Sequence, residues 1–86
     1  MIEYIHVYCK VECPFCKDAI SLLEEENKEF VVTILDHCKE FEEGLKKELK
    51  FDTVPIILRC RDSGNVEMIG GYTELKASIE AEKSNK

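Results

Sequence analysis

Strand-like and helix-like runs alternate along this chain, and that alternation restricts its fold more than any other feature. Ile2 to Cys9 carries Ile2, Tyr4, Ile5, Val7 and Tyr8, dense in β-branched and aromatic residues and too short for an amphipathic helix. It reads as a central strand. Pro14 suits a first helical position, where the missing N–H would have had no partner, and Ala19, Ile20 and Leu23 follow on one helical face. A helix is expected from about Pro14 to Glu26. After the polar connector Asn27-Lys28-Glu29, Phe30 to Leu35 forms a second β-branched run. Strand, helix and strand in that order imply a parallel pair joined by a right-handed crossover.

The stretch Cys38 to Lys50 places Phe41, Leu45 and Leu49 on one helical face, with acid early (Glu40, Glu42, Glu43) and base late (Lys46, Lys47, Lys50), as a helix dipole favours. Pro55 to Arg61 and Asn65 to Ile69 flank Asp62-Ser63-Gly64, a turn-forming triplet, and predict a β-hairpin. Gly70-Gly71 then breaks the chain before a third helix, Tyr72 to Glu82, carrying Leu75 and Ile79; Ser84-Asn85-Lys86 should fray. The order is β-α-β-α-β-β-α, with no repeat or linker. One α/β layer structure is expected, a single domain over residues 1–86.

With 86 residues, 44% apolar and 35% charged, the composition is that of a globular chain whose apolar runs must share one core. A net charge of −6, with acidic clusters at Glu24 to Glu26 and Glu40 to Glu43, repels phosphate backbones and argues against nucleic acid as a partner. No apolar run is long enough for a membrane span, and the first residues lack the order of a secretory signal. A cytoplasmic location is expected. The five cysteines, Cys9, Cys13, Cys16, Cys38 and Cys60, are odd in number, which disfavours a structural disulfide framework.

Cys13-Pro14-Phe15-Cys16 lies where the first strand gives way to the first helix. A thiol attacks only as thiolate, and a sulfur at a helix start faces unpaired N–H groups that favour the charged form. Cys13 at the N-cap is therefore the candidate nucleophile, with Lys10 adding positive charge nearby. Cys16, about one turn deeper, is the candidate resolving thiol, and the two form the expected redox-active disulfide. Phe15, between them, either shields the sulfurs or lies on a substrate. The same cysteine spacing occurs in half a zinc site, but no second spaced pair exists, so no metal is expected. Cys9, Cys13 and Cys16 also match the cluster-binding spacing of radical SAM enzymes, which need a far longer barrel. Cys9 reads instead as an unreactive thiol closing the first strand.

Thr53-Val54-Pro55 precedes the hairpin, and its proline reads either as an edge-strand residue or as a cis peptide. Lys10 with Cys-Pro-Phe-Cys, then Thr53-Val54-Pro55, then Gly70-Gly71-Tyr72, in this order across nearly the whole chain, resemble a glutaredoxin. The resemblance implies a thioredoxin-like fold: a four-stranded mixed sheet with helices on both faces. It also implies a cis Val54-Pro55 bond beside the sulfurs and glutathione as electron donor. Val54 would then pair through its backbone with the cysteinyl residue of glutathione. Lys10 would serve the thiolate and the glycyl carboxylate. Gly70 and Gly71 would permit close approach, and the third helix would offer its N–H groups to the γ-glutamyl carboxylate, with Phe15, Thr53, Pro55, Tyr72 and Thr73 around it.

Departures from the family pattern are local. Many glutaredoxins carry aspartate where this chain has Thr73, with Glu74 one step later; Thr73 also reads as a helix N-cap. The segment Arg59 to Glu67 is longer and more charged than is usual. Lys50 lies where a basic side chain often meets the glycyl carboxylate. Cys38, Cys60, His6 and His37 carry no motif.

The implied activity is glutathione-dependent reduction of protein disulfides and protein–glutathione mixed disulfides, by a monomer with no permanently bound cofactor and glutathione as co-substrate. Two alternatives share these residues. One is a redoxin fed by a flavoenzyme reductase and donating to ribonucleotide reductase; the other is a carrier of a 2Fe–2S cluster.

Overall fold

The structure is a computed structural model that describes residues 2–84. Strand β1 (Glu3–Cys9) leads into helix α1 (Pro14–Glu25), strand β2 (Phe30–Ile34), a 3₁₀ turn (Leu35–His37) and helix α2 (Lys39–Leu49). Strands β3 (Ile56–Arg61) and β4 (Val66–Gly70) form the hairpin, and helix α3 (Tyr72–Ser84) follows. The sheet order is β2-β1-β3-β4, with β1 parallel to β2 and antiparallel to β3. Val7 stands at its centre, opposite Val32 on one side and Ile57 on the other.

Alternation along β1 sends Ile5, Val7 and Cys9 to one face, where they are buried against Ala19 and Leu23 of α1 and Leu75 and Ile79 of α3. Full burial of a side chain such as Leu23 contributes about 1.5–3 kcal/mol. The opposite face carries His6 and Tyr8. His6 Nε2 pairs with Thr33 Oγ1 at 2.7 Å, and the Tyr8 ring lies 6.2 Å from that of Phe41 on α2. Helices therefore cover both faces of a mixed sheet, the thioredoxin-like arrangement.

Several expected boundaries shift for local reasons. Leu35 leaves the second strand to start the 3₁₀ turn, buried, while Asp36 in that turn accepts a 2.9 Å hydrogen bond from the Val11 N–H. Cys38 is not the first residue of α2 but its N-cap, and Lys50 ends that helix in a left-handed conformation, φ 54°. The buried residue of α2 is Glu42 rather than an apolar one, because its carboxylate joins Lys10 at 3.1 Å and Lys46 at 2.8 Å; Phe41 is half exposed. Helix α3 runs on through Ser84, whose hydroxyl donates to the Glu80 carbonyl at 3.0 Å; of the expected fraying segment, 85 and 86 lie outside the described residues.

The charged hairpin laces the sheet to α3. Arg59 reaches Glu3 at 3.2 Å, Glu82 at 3.1 Å and Glu67 at 3.5 Å, while Arg61 meets Glu3 and Glu67 at 3.5 and 3.6 Å. Single surface pairs contribute about 0–1 kcal/mol, so any stability here comes from the network tying β1, β4 and α3 together.

Candidate active site

Cys13 has extended backbone angles, φ −121° and ψ 106°, and Pro14 at the first helical position launches α1 directly from it. The Cys16 N–H donates to the Cys13 sulfur at 3.3 Å, and the Cys13 carbonyl accepts from the N–H groups of Cys16 and Lys17 at 3.1 and 3.2 Å. No acidic residue stands in the first turn. Negative charge on the Cys13 sulfur would thus meet an N–H and the positive end of the helix, with no carboxylate in that turn to oppose it.

Cys13 retains 8% of its surface and Cys16 only 2%, so the outer sulfur is the one a substrate reaches. Burial pushes the Cys16 thiol up, the hydrogen bond with Cys13 adds to this, and the backbone N–H of Lys10 partly offsets it. Cys16 is therefore a protonated thiol at neutral pH. The loop before β3 closes the site: Val54-Pro55 is a cis peptide, and the Cys13 thiol donates to the Val54 carbonyl at 3.7 Å.

A cleft of about 350 Å³ opens beside the sulfurs, lined by Phe15, Phe51, Thr53, Val54, Pro55, Gly71, Tyr72, Thr73 and Glu74. Phe15 is 60% exposed with its ring 6.3 Å from that of Tyr72, so it forms a wall of the cleft rather than a cover over the sulfurs. Gly70, buried at φ 124°, lies at the end of β4 next to this wall. A Cβ at Gly70 would meet Glu74 Cγ and Oε1 at 2.9 Å, which is why a side chain is excluded there.

Two expectations are corrected. Lys10 does not direct its ammonium at the sulfurs. Its Nζ pairs with Glu42 at 3.1 Å, and the Glu42 carboxyl is held below the usual carboxylate range by hydrogen bonds from Lys46 and then Lys10. Thr73 is not the N-cap of α3 either. Gly71 takes that place, its carbonyl accepting from the Leu75 N–H at 3.0 Å. Glu74 Oε1 reaches back to the Gly71 N–H at 2.7 Å, the reciprocal half of a capping box. The first turn of α3 thus already holds a carboxylate of its own.

Phe51, the clamp of Asp36 on Val11 and the backward reach of Glu74 were missed by the motifs. The spacing Gly71-x-x-Glu74 was the one available signal for the last, since a cap and an acid three residues on form such a box.

The fold and the paired thiols at a strand-to-helix junction define a thiol–disulfide oxidoreductase of the thioredoxin-like class. The family model for glutaredoxin matches residues 5–58, and the chain belongs to the glutaredoxin family. Glutaredoxin 1 from Francisella tularensis, solved with cacodylate, is similar at 30% identity over 99% of this chain and 100% of that one, with a TM-score of 0.69. The dithiolic glutaredoxin 2-C-Grx1 of Trypanosoma brucei brucei is 28% identical over 94% of this chain and 81% of its own, TM-score 0.72. A buckwheat glutaredoxin–glutathione complex, at 19% identity, shares the fold over 94% of this chain and 72% of that one, TM-score 0.76. No curated protein sequence matches the chain.

Proposed function

We propose that the chain reduces protein disulfides and protein–glutathione mixed disulfides with electrons from glutathione, as a cytoplasmic monomer. The observation that carries this reading is the position of Cys13: at the N-cap of α1, partly open, with Cys16 behind it and the Val54 carbonyl in front.

In the proposed cycle the Cys13 thiolate attacks a substrate disulfide, forming a mixed disulfide and expelling a thiolate. Cys16 then attacks the Cys13 sulfur, releases the second substrate thiol and closes the Cys13–Cys16 disulfide, which two glutathiones reduce. On a glutathionylated protein, Cys13 takes the glutathione and a second glutathione removes it, without Cys16. The backbone of Val54 would pair with the cysteinyl residue of glutathione as an added strand does, between Phe15, Thr53, Pro55 and Tyr72. Glu74, in the lining of the cleft, serves the glutathione amine through the carboxylate oxygen that Gly71 does not engage. The γ-glutamyl carboxylate then competes with Glu74 for the N–H groups around Gly71 and Thr73, so glutathione is held weakly.

The test is a coupled assay on a glutathionylated peptide, with glutathione and its reductase in one arm and a flavoenzyme disulfide reductase without glutathione in the other. Turnover in the glutathione arm alone is expected; turnover only in the other arm would replace glutathione with the reductase as donor.

A further inference from the structure

Cys9 ends β1, and the alternation of that strand turns its side chain to the face covered by α1. Only 2% exposed, it lies in the same buried cluster as Cys13 and Cys16. Cys16, also 2% exposed, belongs to the same cluster, so all three thiols share one buried site where β1 meets α1. The Cys16 N–H donates to the Cys13 sulfur at 3.3 Å, and its thiol interacts with the backbone N–H of Lys10, the residue after Cys9, and with the thiols of both Cys9 and Cys13. Thiol–disulfide exchange needs a third thiol within reach of a disulfide, and this cluster supplies one.

We propose that Cys9 is a third exchange thiol, which takes Cys16 out of the Cys13–Cys16 disulfide and leaves Cys13 free. The proposal rests on the reading that Cys13 and Cys16 form that disulfide. In the step, the Cys9 sulfur attacks the Cys16 sulfur. The Cys9–Cys16 bond forms as the Cys13–Cys16 bond breaks, and the electron pair departs with Cys13. The proton of Cys9 passes to the departing Cys13 sulfur in the same buried cluster, so the step is neutral overall. One disulfide and one thiol stand on each side, so no outside oxidant is required.

The direction follows from the leaving group: Cys13 departs onto the Cys16 N–H and the helix N-terminus, whereas Cys9 ends a strand and burial disfavours charge on it. Burial pushes the Cys9 thiol up, which makes this exchange slower than attack by Cys13 on a substrate. Its product is an oxidised chain that still presents Cys13 at the cleft. Such a chain would continue one-thiol transfer of glutathione while two-thiol reduction of protein disulfides is suspended.

Trypsin can read this directly, because cleavage after Lys10 and Lys17 separates Cys9 from the peptide that carries both Cys13 and Cys16. The full chain is oxidised with diamide, its remaining thiols are blocked with N-ethylmaleimide in acidic denaturant, and the digest is analysed unreduced by mass spectrometry. A peptide of residues 1–10 linked to residues 11–17, blocked at Cys13, is expected in about a tenth or more of the oxidised chains. Cys9→Ser should remove that species and keep the disulfide internal to residues 11–17. Cys13→Ser should raise the cross-linked species to nearly all oxidised chains. If residues 1–10 are fully blocked while the internal disulfide forms, the role of Cys9 is overturned and the proposed function stands. If neither disulfide forms in the native sequence, both readings fall.

Discussion

Helices α1 and α2 both begin at a cysteine, yet only one of these cysteines belongs to a site. Cys13 (φ −121°, ψ 106°) accepts from the Cys16 N–H at 3.3 Å, and Cys38 (φ −149°, ψ 101°) accepts from the Phe41 N–H at 3.4 Å. As caps the two are equivalent. Their surroundings differ in sign and in company. The first turn of α1 carries no acid and places a second thiol three residues on, with the Val54 carbonyl opposite. The first turn of α2 carries Glu40 and Glu42, places Phe41 where the second thiol would be, and leaves Cys38 exposed. A helix start supplies N–H groups to any capping sulfur; a partner thiol and a cleft are what make redox chemistry from it.

The largest expected effect separates the two caps outright. Cys13→Ser should reduce turnover on both substrate types below about one thousandth, while Cys38→Ser, which keeps a capping oxygen, should leave initial rates within about twofold. Equal losses in the two variants would erase the contrast. Next comes the partner thiol: Cys16→Ser should retain deglutathionylation and lose two-thiol reduction of a protein disulfide by about a hundredfold or more. Loss of both activities would mean that Cys16 does more than resolve.

The pH dependence sharpens the same point. Because burial holds the Cys16 proton above the ordinary thiol range, the ratio of two-thiol to one-thiol turnover should rise between pH 7 and 9. Stability moves the opposite way. The unfolded chain gives up this proton near the ordinary thiol value of about 8.5 while the folded chain retains it, so stability present below that pH is lost as pH rises above it. A melting temperature that falls above pH 8.5 in the native sequence, and falls less in Cys16→Ser, is the expected record. The smallest effect concerns the other cap: Glu40→Gln should raise iodoacetamide reactivity of Cys38 about two- to fivefold, the worth of one charge at a helix terminus, without changing that of Cys13.

Much of the architecture was legible along the chain because strand and helix periodicities are local. The runs at Ile2 to Cys9 and Phe30 to Leu35 and the Asp62-Ser63-Gly64 turn led to the observed element order. The errors fall where a distant charge intervenes. Phe41, Leu45 and Leu49 predicted the helix, yet Glu42 is its buried residue, because Lys10 arrives from the end of β1 to pair with it. Lys10, which both its spacing and the family resemblance assign to the sulfurs, has its ammonium paired with Glu42 by the same contact. At α3 the difference is local: the helix begins at Tyr72 as its periodicity predicts, but Gly71 rather than Thr73 caps it, and Gly70 and Gly71 leave room for Glu74 to fold back.

By itself the sequence determined the Cys-Pro-Phe-Cys turn: an extended cysteine, a proline that opens a helix, and a second thiol one turn inside. Capping hydrogen bonds and helical spacing act over three or four residues, so they can be read from the residues concerned. Tertiary structure alone decided which groups meet those sulfurs. Val54 is 41 residues from Cys13, and Lys10 is drawn to α2. Cys9 joins Cys13 and Cys16 in one buried cluster through the packing of β1 on α1. Such meetings depend on the strand order β2-β1-β3-β4 and the helix packing over it, which bring together residues that no local periodicity relates.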